Sequence, residues 1–315
     1  MKLIIQIPCF NEEETLTETL RALPKHIEGI DVIETLIIDD GSSDKTVDVA
    51  NWNGINHIIT LTRHTGLAGA FKTGLNECLK RGADIIVNTD ADNQYCADDI
   101  QNLVRPILEK KADMVIGARP ILKISGFTFF KKFLQSFGSF IVRLVSSTSV
   151  EDAPSGFRAF SAECASVLNV FDNFTYTMET IIQAKAKGLR VVSVPVRVNP
   201  STRKSRLMNN IFSYILKSSF TIIRMFIVYR PFRFFAFIAG LFLITGIILG
   251  ARFLYFYLTV GGSGHIQSLI LSSILILTGV QTGLIGVLAD LAAINRKLLE
   301  DIQLRVKQLE NSNGK

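Results

Sequence analysis

A chain of 315 residues has room for one α/β domain plus a smaller appendage, and 48% hydrophobic residues is high for a purely soluble protein. The net charge of +6 suits nucleic acid, anionic lipid or phosphorylated substrates without choosing among them. The scattered cysteines Cys9, Cys78, Cys96 and Cys164 form no CxxC pair, which argues against a disulfide or zinc framework.

Lys2 is the only early basic residue, and the apolar run Leu3–Ile7 is short and ends in Pro8. It reads as a buried first strand rather than a signal peptide, so the N-terminal part is expected to stay on the side where it is made. Further strands are expected at Val32–Ile38, His57–Leu61, Asp84–Thr89 and Met114–Gly117. Helices are expected between them at Glu12–Leu23, Asp44–Asn51, Leu67–Arg81 and Ala97–Lys110. Continuous apolar strands alternating with helices imply a mainly parallel sheet covered on both faces. Ligands of such sheets bind beyond the carboxyl ends of the strands.

Residues 119–160 break this rhythm and are rich in Phe, Lys and Ser. Residues 161–198 resume it with two helices and a strand, Val191–Val196. From 203 to 230, Arg203, Lys204, Arg206, Lys217, Arg224 and Arg230 interleave with Ile, Phe and Leu, as in helices lying in a membrane interface. Two apolar segments follow, 234–258 and 268–292, each longer than the ~20 residues that cross a bilayer. Gly240, Gly246, Gly250, Gly279, Gly283 and Gly286 offer small faces for packing the two together. Arg252 and Asp290 lie toward the span ends, where a charge reaches the headgroups. The connecting loop 259–266 has no Lys or Arg, whereas Arg224, Arg230, Arg233, Arg296 and Lys297 flank the hairpin. Both termini are therefore expected in the cytoplasm. The chain divides into an α/β domain (1–202), interface helices (203–233), a two-helix hairpin (234–294) and a charged tail helix (295–315). The hairpin and tail also offer surfaces for homo-oligomerisation.

The strongest chemical signal is Asp90-Ala91-Asp92-Asn93-Gln94, directly after an apolar strand. Two carboxylates one residue apart at a strand end suit a hard divalent cation that keeps positions open for diphosphate oxygens. Ile7-Pro8-Cys9-Phe10-Asn11-Glu12-Glu13 leaves the first strand, and Ile38-Asp39-Asp40-Gly41-Ser42-Ser43-Asp44 leaves the second. A carboxylate in the second motif suits a nucleobase N–H. The plainer reading is a turn and helix cap, served by Ser43 or Asp44.

These three motifs in this order resemble glycosyltransferase family 2, over roughly residues 1–200. The DxDxQ form is similar to that of dolichyl-phosphate mannose synthases and related polyprenyl-phosphate glycosyltransferases. The resemblance implies an α/β, Rossmann-like GT-A domain. It implies nucleoside contacts from Pro8, Phe10, Glu12, Asp39 and Asp40, and a Mg²⁺ or Mn²⁺ site at Asp90, Asp92 and Gln94. Gly117-Ala118-Arg119 looks like the family's Gly-Ser-Arg, whose arginine faces the acceptor phosphate; Lys132 and Ser136 fall near its acceptor loop. Asp152-Ala153-Pro154-Ser155-Gly156-Phe157-Arg158 is similar to the subgroup's Asp-x-x-Ser-Gly-Phe-Arg. Ser205-Arg206-Leu207 looks like its Ser-Lys-Leu, with the extra pair Arg203-Lys204 in front. Arg203 and Arg206 are thus expected at the donor diphosphate, and Arg206 also at the acceptor.

The implied partners are a nucleotide sugar of the UDP-glucose or GDP-mannose type, polyprenyl or dolichyl phosphate, and a bilayer, with no nucleic acid. The implied reaction inverts the anomeric centre, with Asp152, Asp92 and Arg119 catalytic. A phosphate acceptor with a second pKa of ~6 needs little deprotonation, so Asp152 serves as orienter, or as base only toward a monoprotonated phosphate. Arg158 is expected in a structural ion pair as readily as in the site, and Glu179 as an exposed helical residue. The alternative is a family 2 enzyme acting on a saccharide or other membrane acceptor. The Gln-x-x-Arg-Trp motif frequent there is absent, since Trp52 is the only tryptophan.

Overall fold

The computed structural model describes residues 1–120, 139, 142–143, 148–170, 176–200, 220, 223–224, 227–228, 231–261 and 266–313. The expected sites Lys132, Ser136, Arg203 and Arg206, and most of the expected interface helices, lie outside the described residues. The chain separates into two compact units, Met1–Ile222 and Ile223–Lys315.

The first unit is built on a seven-stranded sheet in the order β3-β2-β1-β4-β6-β5-β7. The strands are β1 (Lys2–Cys9), β2 (Val32–Asp39), β3 (His57–Thr60), β4 (Ile85–Asn88), β5 (Met114–Ala118), β6 (Arg158–Ser161) and β7 (Val191–Pro195). The helices are α1 (Leu16–Ala22), α2 (Thr46–Trp52), α3 (Leu67–Lys80), α4 (Ile100–Leu108), α5 (Ala162–Val167) and α6 (Thr177–Ala186).

Alternate residues of each strand face opposite sides, so an unbroken apolar strand must be covered twice. Ile4, Leu36, Ile38 and Ile86 pack with Phe71 and Leu75 of α3. Leu3, Ile5, Ile7, Ile37 and Val87 pack with Leu16 of α1, Val49 of α2, and Leu103 and Val104 of α4. Each such side chain contributes about 1.5–3 kcal/mol through removal from water.

β1, β2, β3 and β4 run parallel, as do β5 and β7. The sheet is nonetheless mixed, because β6 is antiparallel to both β4 and β5. That reversal decides where the site forms. The ends of β1, β2, β4, β5 and β7 share one edge, and the segment leading into β6, residues 152–157, arrives at that same edge.

The second unit contains α7 (Pro231–Val260) and α8 (Ile266–Asn313). Both are long and apolar enough to cross a membrane. Their contact uses the expected small residues. A Cβ on Gly246 would meet Ile276 at 2.8 Å, one on Gly279 would meet Leu243 at 2.7 Å, and one on Gly286 would meet Phe235 at 2.9 Å. Gly240 faces open space. Ser272 donates its hydroxyl hydrogen to the Gly246 carbonyl at 2.6 Å. The charged tail does not form a separate helix; it continues α8 without a break.

Candidate active site

The loops after β1 and β2 are zipped together by polar bonds. The Asn11 N–H donates to Ser42 Oγ at 2.9 Å and the Glu12 N–H to Thr46 Oγ1 at 2.8 Å. In return the Ser43 N–H donates to Asn11 Oδ1 at 2.8 Å and the Lys45 N–H to Glu13 Oε2 at 2.9 Å. Asn11 sits at φ +55°, a left-handed conformation that asparagine tolerates. Phe10 is exposed at this edge, with its ring 4.1 Å from that of His64. Sequence reasoning had not singled out His64, which lies 54 residues further along and carries no motif of its own.

Asp39 and Asp40 are both buried, but their roles differ. Asp40 accepts from the Thr65 N–H at 2.7 Å, Thr65 Oγ1 at 2.8 Å and the Gly66 N–H at 2.8 Å, and lies 2.9 Å from His64 Nδ1. Its oxygens are committed to holding the turn that starts α3. Asp39 accepts from the Ser42 N–H through Oδ1 at 3.1 Å, while its buried Oδ2 has no hydrogen-bond partner among the described residues. A buried acceptor left unpaired costs about 1–3 kcal/mol. Asp44 accepts from the Thr46 N–H at 3.0 Å, but the N-cap position of α2 falls on Lys45, so neither Asp44 nor Ser43 takes the expected cap.

The DxDxQ loop follows β4. Asp92 Oδ1 accepts from the Gln94 N–H at 3.2 Å, and Asn93 sits at φ +52°. The segment after β7 clasps this loop. The Asn199 side chain donates to the Asn93 carbonyl at 2.9 Å, and its backbone N–H donates to the Gln94 carbonyl at 2.8 Å. Just beyond, Arg197 donates from Nη2 and Nε to Asp99 Oδ1, at 3.0 and 3.1 Å. Sequence reasoning had no signal for Asn199, which is 106 residues from Asn93.

Asp90 rests on the β6 approach. A Cβ on Gly156 would meet Asp90 Oδ1 at 3.0 Å and the Tyr176 hydroxyl at 3.1 Å, so any larger residue would crowd the carboxylate by a few tenths of an ångström. The Tyr176 ring stacks on Phe71 at 3.6 Å, and its hydroxyl accepts from Asn88 Nδ2 at 2.8 Å. Gln6 donates to Asn88 Oδ1 at 2.9 Å, completing a fully buried polar floor. Burial and then the neighbouring charge of Asp92 push the Asp90 carboxyl up to about 7, with Glu12 adding to the rise and Arg119 and Arg158 opposing it. Among the described residues, no group of three or more His, Cys, Asp or Glu is placed to hold a metal. Asp90 and Asp92 bring two carboxylates to the loop after β4. Two adjacent carboxylates with open positions fit a hard divalent cation completed by other oxygens, with Gln94 in the same loop.

Asp152 and Arg119 lock together at the ends of β5 and the β6 approach. Arg119 Nε donates to Asp152 Oδ2 at 2.6 Å and Nη2 to Oδ1 at 3.0 Å, and the Arg119 N–H reaches Oδ2 at 3.3 Å. Their side chains are 8% and 1% exposed. Burial works against the Arg119 charge, but Tyr95, Asp152 and Asp90 outweigh it and raise the guanidinium. Its carbon lies 6.0 Å from the Tyr95 ring centroid.

Arg158 is fully buried and makes no ion pair among the described residues. It donates to the carbonyls of Ser155 at 2.7 Å, Thr177 at 2.7 Å and Ala153 at 2.6 Å. Burial lowers it to about 10, so it stays charged at neutral pH. It pins the 153–158 turn to the start of α6. Glu179, expected to be exposed, is fully buried and accepts from Gln183 at 3.1 Å. The first eight residues of α6, Thr177 to Ala184, are all buried, which its mixed polar sequence does not announce.

Residues 4–167 match the description Glycosyl transferase family 2. An undecaprenyl-phosphate mannosyltransferase of Micrococcus luteus is 28% identical over 206 residues, 62% of this chain and 83% of the relative. A UDP-N-acetylglucosamine–dolichyl-phosphate N-acetylglucosaminyltransferase of Methanococcus voltae is 30% identical over 212 residues, 61% of this chain and 83% of the relative. In fold, the chain is similar to glucosyl-3-phosphoglycerate synthase of Mycobacterium tuberculosis, solved with Mn²⁺, UDP and glucosyl-3-phosphoglycerate. The TM-score is 0.56 at 18% identity, over 72% of this chain and 78% of that one. With the GT-A sheet, the acidic loop after β4 and a match over half its length, the chain belongs to glycosyl transferase family 2 and is a glycosyltransferase.

Proposed function

We propose that this glycosyltransferase moves a sugar from a nucleotide diphosphate donor onto a polyprenyl phosphate, with inversion at the anomeric carbon. The observation that carries the reading is the convergence on one sheet edge of a carboxylate pair, Asp90 and Asp92, and a buried arginine, Arg119, held by Asp152. The relatives named for undecaprenyl and dolichyl phosphate acceptors support the lipid class, and the two apolar helices support a membrane enzyme.

In this reading the unpaired Asp39 Oδ2 accepts a nucleobase N–H, and Pro8, Phe10 and Glu12 line the nucleoside. Asp90, Asp92 and Gln94 would hold Mg²⁺ or Mn²⁺, which when bound neutralises charge on the departing nucleotide diphosphate. Arg119, with Lys132 and Ser136, binds the acceptor phosphate, and Arg203 and Arg206 close on the two phosphate groups. The clasp of Asn199 on the acidic loop links that loop to the segment leading to Arg203. The attacking oxygen is already anionic for most acceptor molecules above pH ~6. Asp152 therefore positions Arg119 and is not required to take a proton.

The arginines flanking α7 and α8 favour a cytoplasmic catalytic unit and cytoplasmic termini in an integral membrane protein. Replacing Asp92→Asn tests the reading: transfer to lipid phosphate should fall by at least about a hundredfold, and full retention would overturn it.

A further inference from the structure

The outer face of α8 carries an unpartnered repeat that runs through the apolar stretch and out of it. Counting in sevens, Ile285, Ala292, Leu299 and Val306 fall at one position, a, and Gln281, Leu288, Asn295 and Ile302 at another, d. This 3–4 spacing is the seam of a left-handed coiled coil. α7 occupies a different side, through Ser272, Ile276, Gly279 and Gly286. At ~100° per residue, the a/d seam lies about 180° around the helix from those contacts. The seam is open: Leu288 is 66% exposed, Leu299 66%, Ile302 57% and Val306 47%.

Two observations say what covers it. Gln281 is exposed at the midpoint of the apolar stretch Ile266–Arg296, and its side chain makes no hydrogen bond among the described residues. An amide facing hydrocarbon is unfavourable, and the partner that relieves it is another polar group at the same depth. A second copy inserted in the same orientation supplies one by symmetry. Asn295, two heptads on in the same d position, is also exposed and makes no hydrogen bond among the described residues. Beyond Arg296 the helix continues to Asn313, roughly 25 Å along its axis. It leaves the apolar layer rather than lying on it, so lipid does not cover Leu299, Ile302 and Val306. The sequence also sets Arg305 at g and Glu310 at e, the spacing at which opposite charges meet across a parallel dimer.

We infer that α8 pairs with α8 of a second copy of this chain, in parallel and in register, through the seam from Gln281 to Val306. The inference rests on the membrane-spanning reading above, and the experiment separates the two. Single cysteines are introduced at the d positions (Leu288→Cys, Ile302→Cys) and at positions off the seam (Val287→Cys, Ile294→Cys), which are also exposed, at 47% and 48%. Isolated membranes are washed with alkaline carbonate and oxidised with copper phenanthroline. The unmodified chain, with its four native cysteines, sets the background.

Retention after the wash tests the spans alone; release into the supernatant removes the spanning reading and the dimer that rests on it. With the protein retained, a band of twice 34.9 kDa at Leu288→Cys and Ile302→Cys, and not at Val287→Cys or Ile294→Cys, is the expected result. Bands at the off-seam positions, or at none, overturn the dimer while leaving the spans standing. Gln281→Leu should weaken the pair by about three- to twentyfold in detergent, and an unchanged monomer–dimer equilibrium would remove Gln281 from the interface.

Discussion

Replacing Asp152→Asn separates a positioning role from a proton-accepting one. The wild-type carboxylate accepts Nε at 2.6 Å and Nη2 at 3.0 Å from Arg119, in a pair whose side chains are 8% and 1% exposed. Asparagine keeps the shape, but turns one accepting oxygen into an NH₂ that meets a guanidinium N–H donor to donor. It also removes the counter-charge of a buried arginine. Breaking a buried pair costs about 3–5 kcal/mol; because one hydrogen bond survives, the lower end applies, about 3 kcal/mol. At 2–4 °C per kcal/mol for a domain of this size, unfolding should shift down by about 6–12 °C. Arg119 then loses its fixed direction, and transfer should fall by about 10- to 100-fold, mainly through the KM for lipid phosphate. The assay is thermal unfolding in detergent beside transfer rates from pH 5 to 9. The acid limb of the pH profile should survive in the variant, since it belongs to the acceptor phosphate and to Asp90 rather than to Asp152. An unchanged melting temperature, a kcat loss above about a thousandfold and disappearance of that limb would refute positioning and make Asp152 the base.

Three further outcomes follow from the geometry. Gly156→Ala should press Asp90, because the new Cβ would lie 3.0 Å from its Oδ1 while the Tyr176 hydroxyl on the other side is held by stacking and by Asn88. Activity should drop about tenfold and half-saturating Mn²⁺ should rise; unchanged Mn²⁺ dependence would contradict the contact. Asp39→Asn should raise the KM for the donor about 10- to 100-fold with little loss of stability, because Oδ2 has no partner to lose; a large fall in melting temperature would instead make Asp39 structural. In metal-free protein, Asp90 holds its proton up to about 7, well above an unfolded aspartate. Its contribution to stability is therefore full below pH ~4 and lost as pH rises through about 7. A cation competes with that proton, so the Mn²⁺-induced rise in melting temperature should grow between pH 6 and 8, and a flat response would argue against Asp90 as a ligand.

Much of this architecture is visible in the amino-acid order because its strands are unbroken apolar runs. Leu3–Ile7 and Val32–Ile38 need cover on both faces, and the helices that provide it sit between them in sequence. β6 is not visible that way. It is only Arg158–Ser161, opens with an arginine and follows a sequence that breaks the strand–helix rhythm. Its antiparallel direction brings Asp152 and Gly156 to the edge ahead of a strand rather than behind one, so a search for polar residues after strands does not reach them. The motif resemblance identified Asp152, but not that both its oxygens hold Arg119. Asp39 and Asp40 look equivalent in sequence, and only the position of the 63–66 turn assigns one to structure and leaves the other an open oxygen. Glu179 shows the limit of composition: polar neighbours on α6 suggest a surface helix, while packing from all sides buries it.

The central claim is sugar transfer to a lipid phosphate, and a donor screen tests it most directly. Purified protein in detergent, with Mg²⁺ or Mn²⁺ and a polyprenyl phosphate, is given each labelled nucleotide sugar in turn, and label in the organic phase is counted. One donor should put label in the organic phase, and EDTA should abolish it. Nucleotide release with no label in the organic phase from any donor would contradict the claim and assign the chain a saccharide or other non-lipid acceptor.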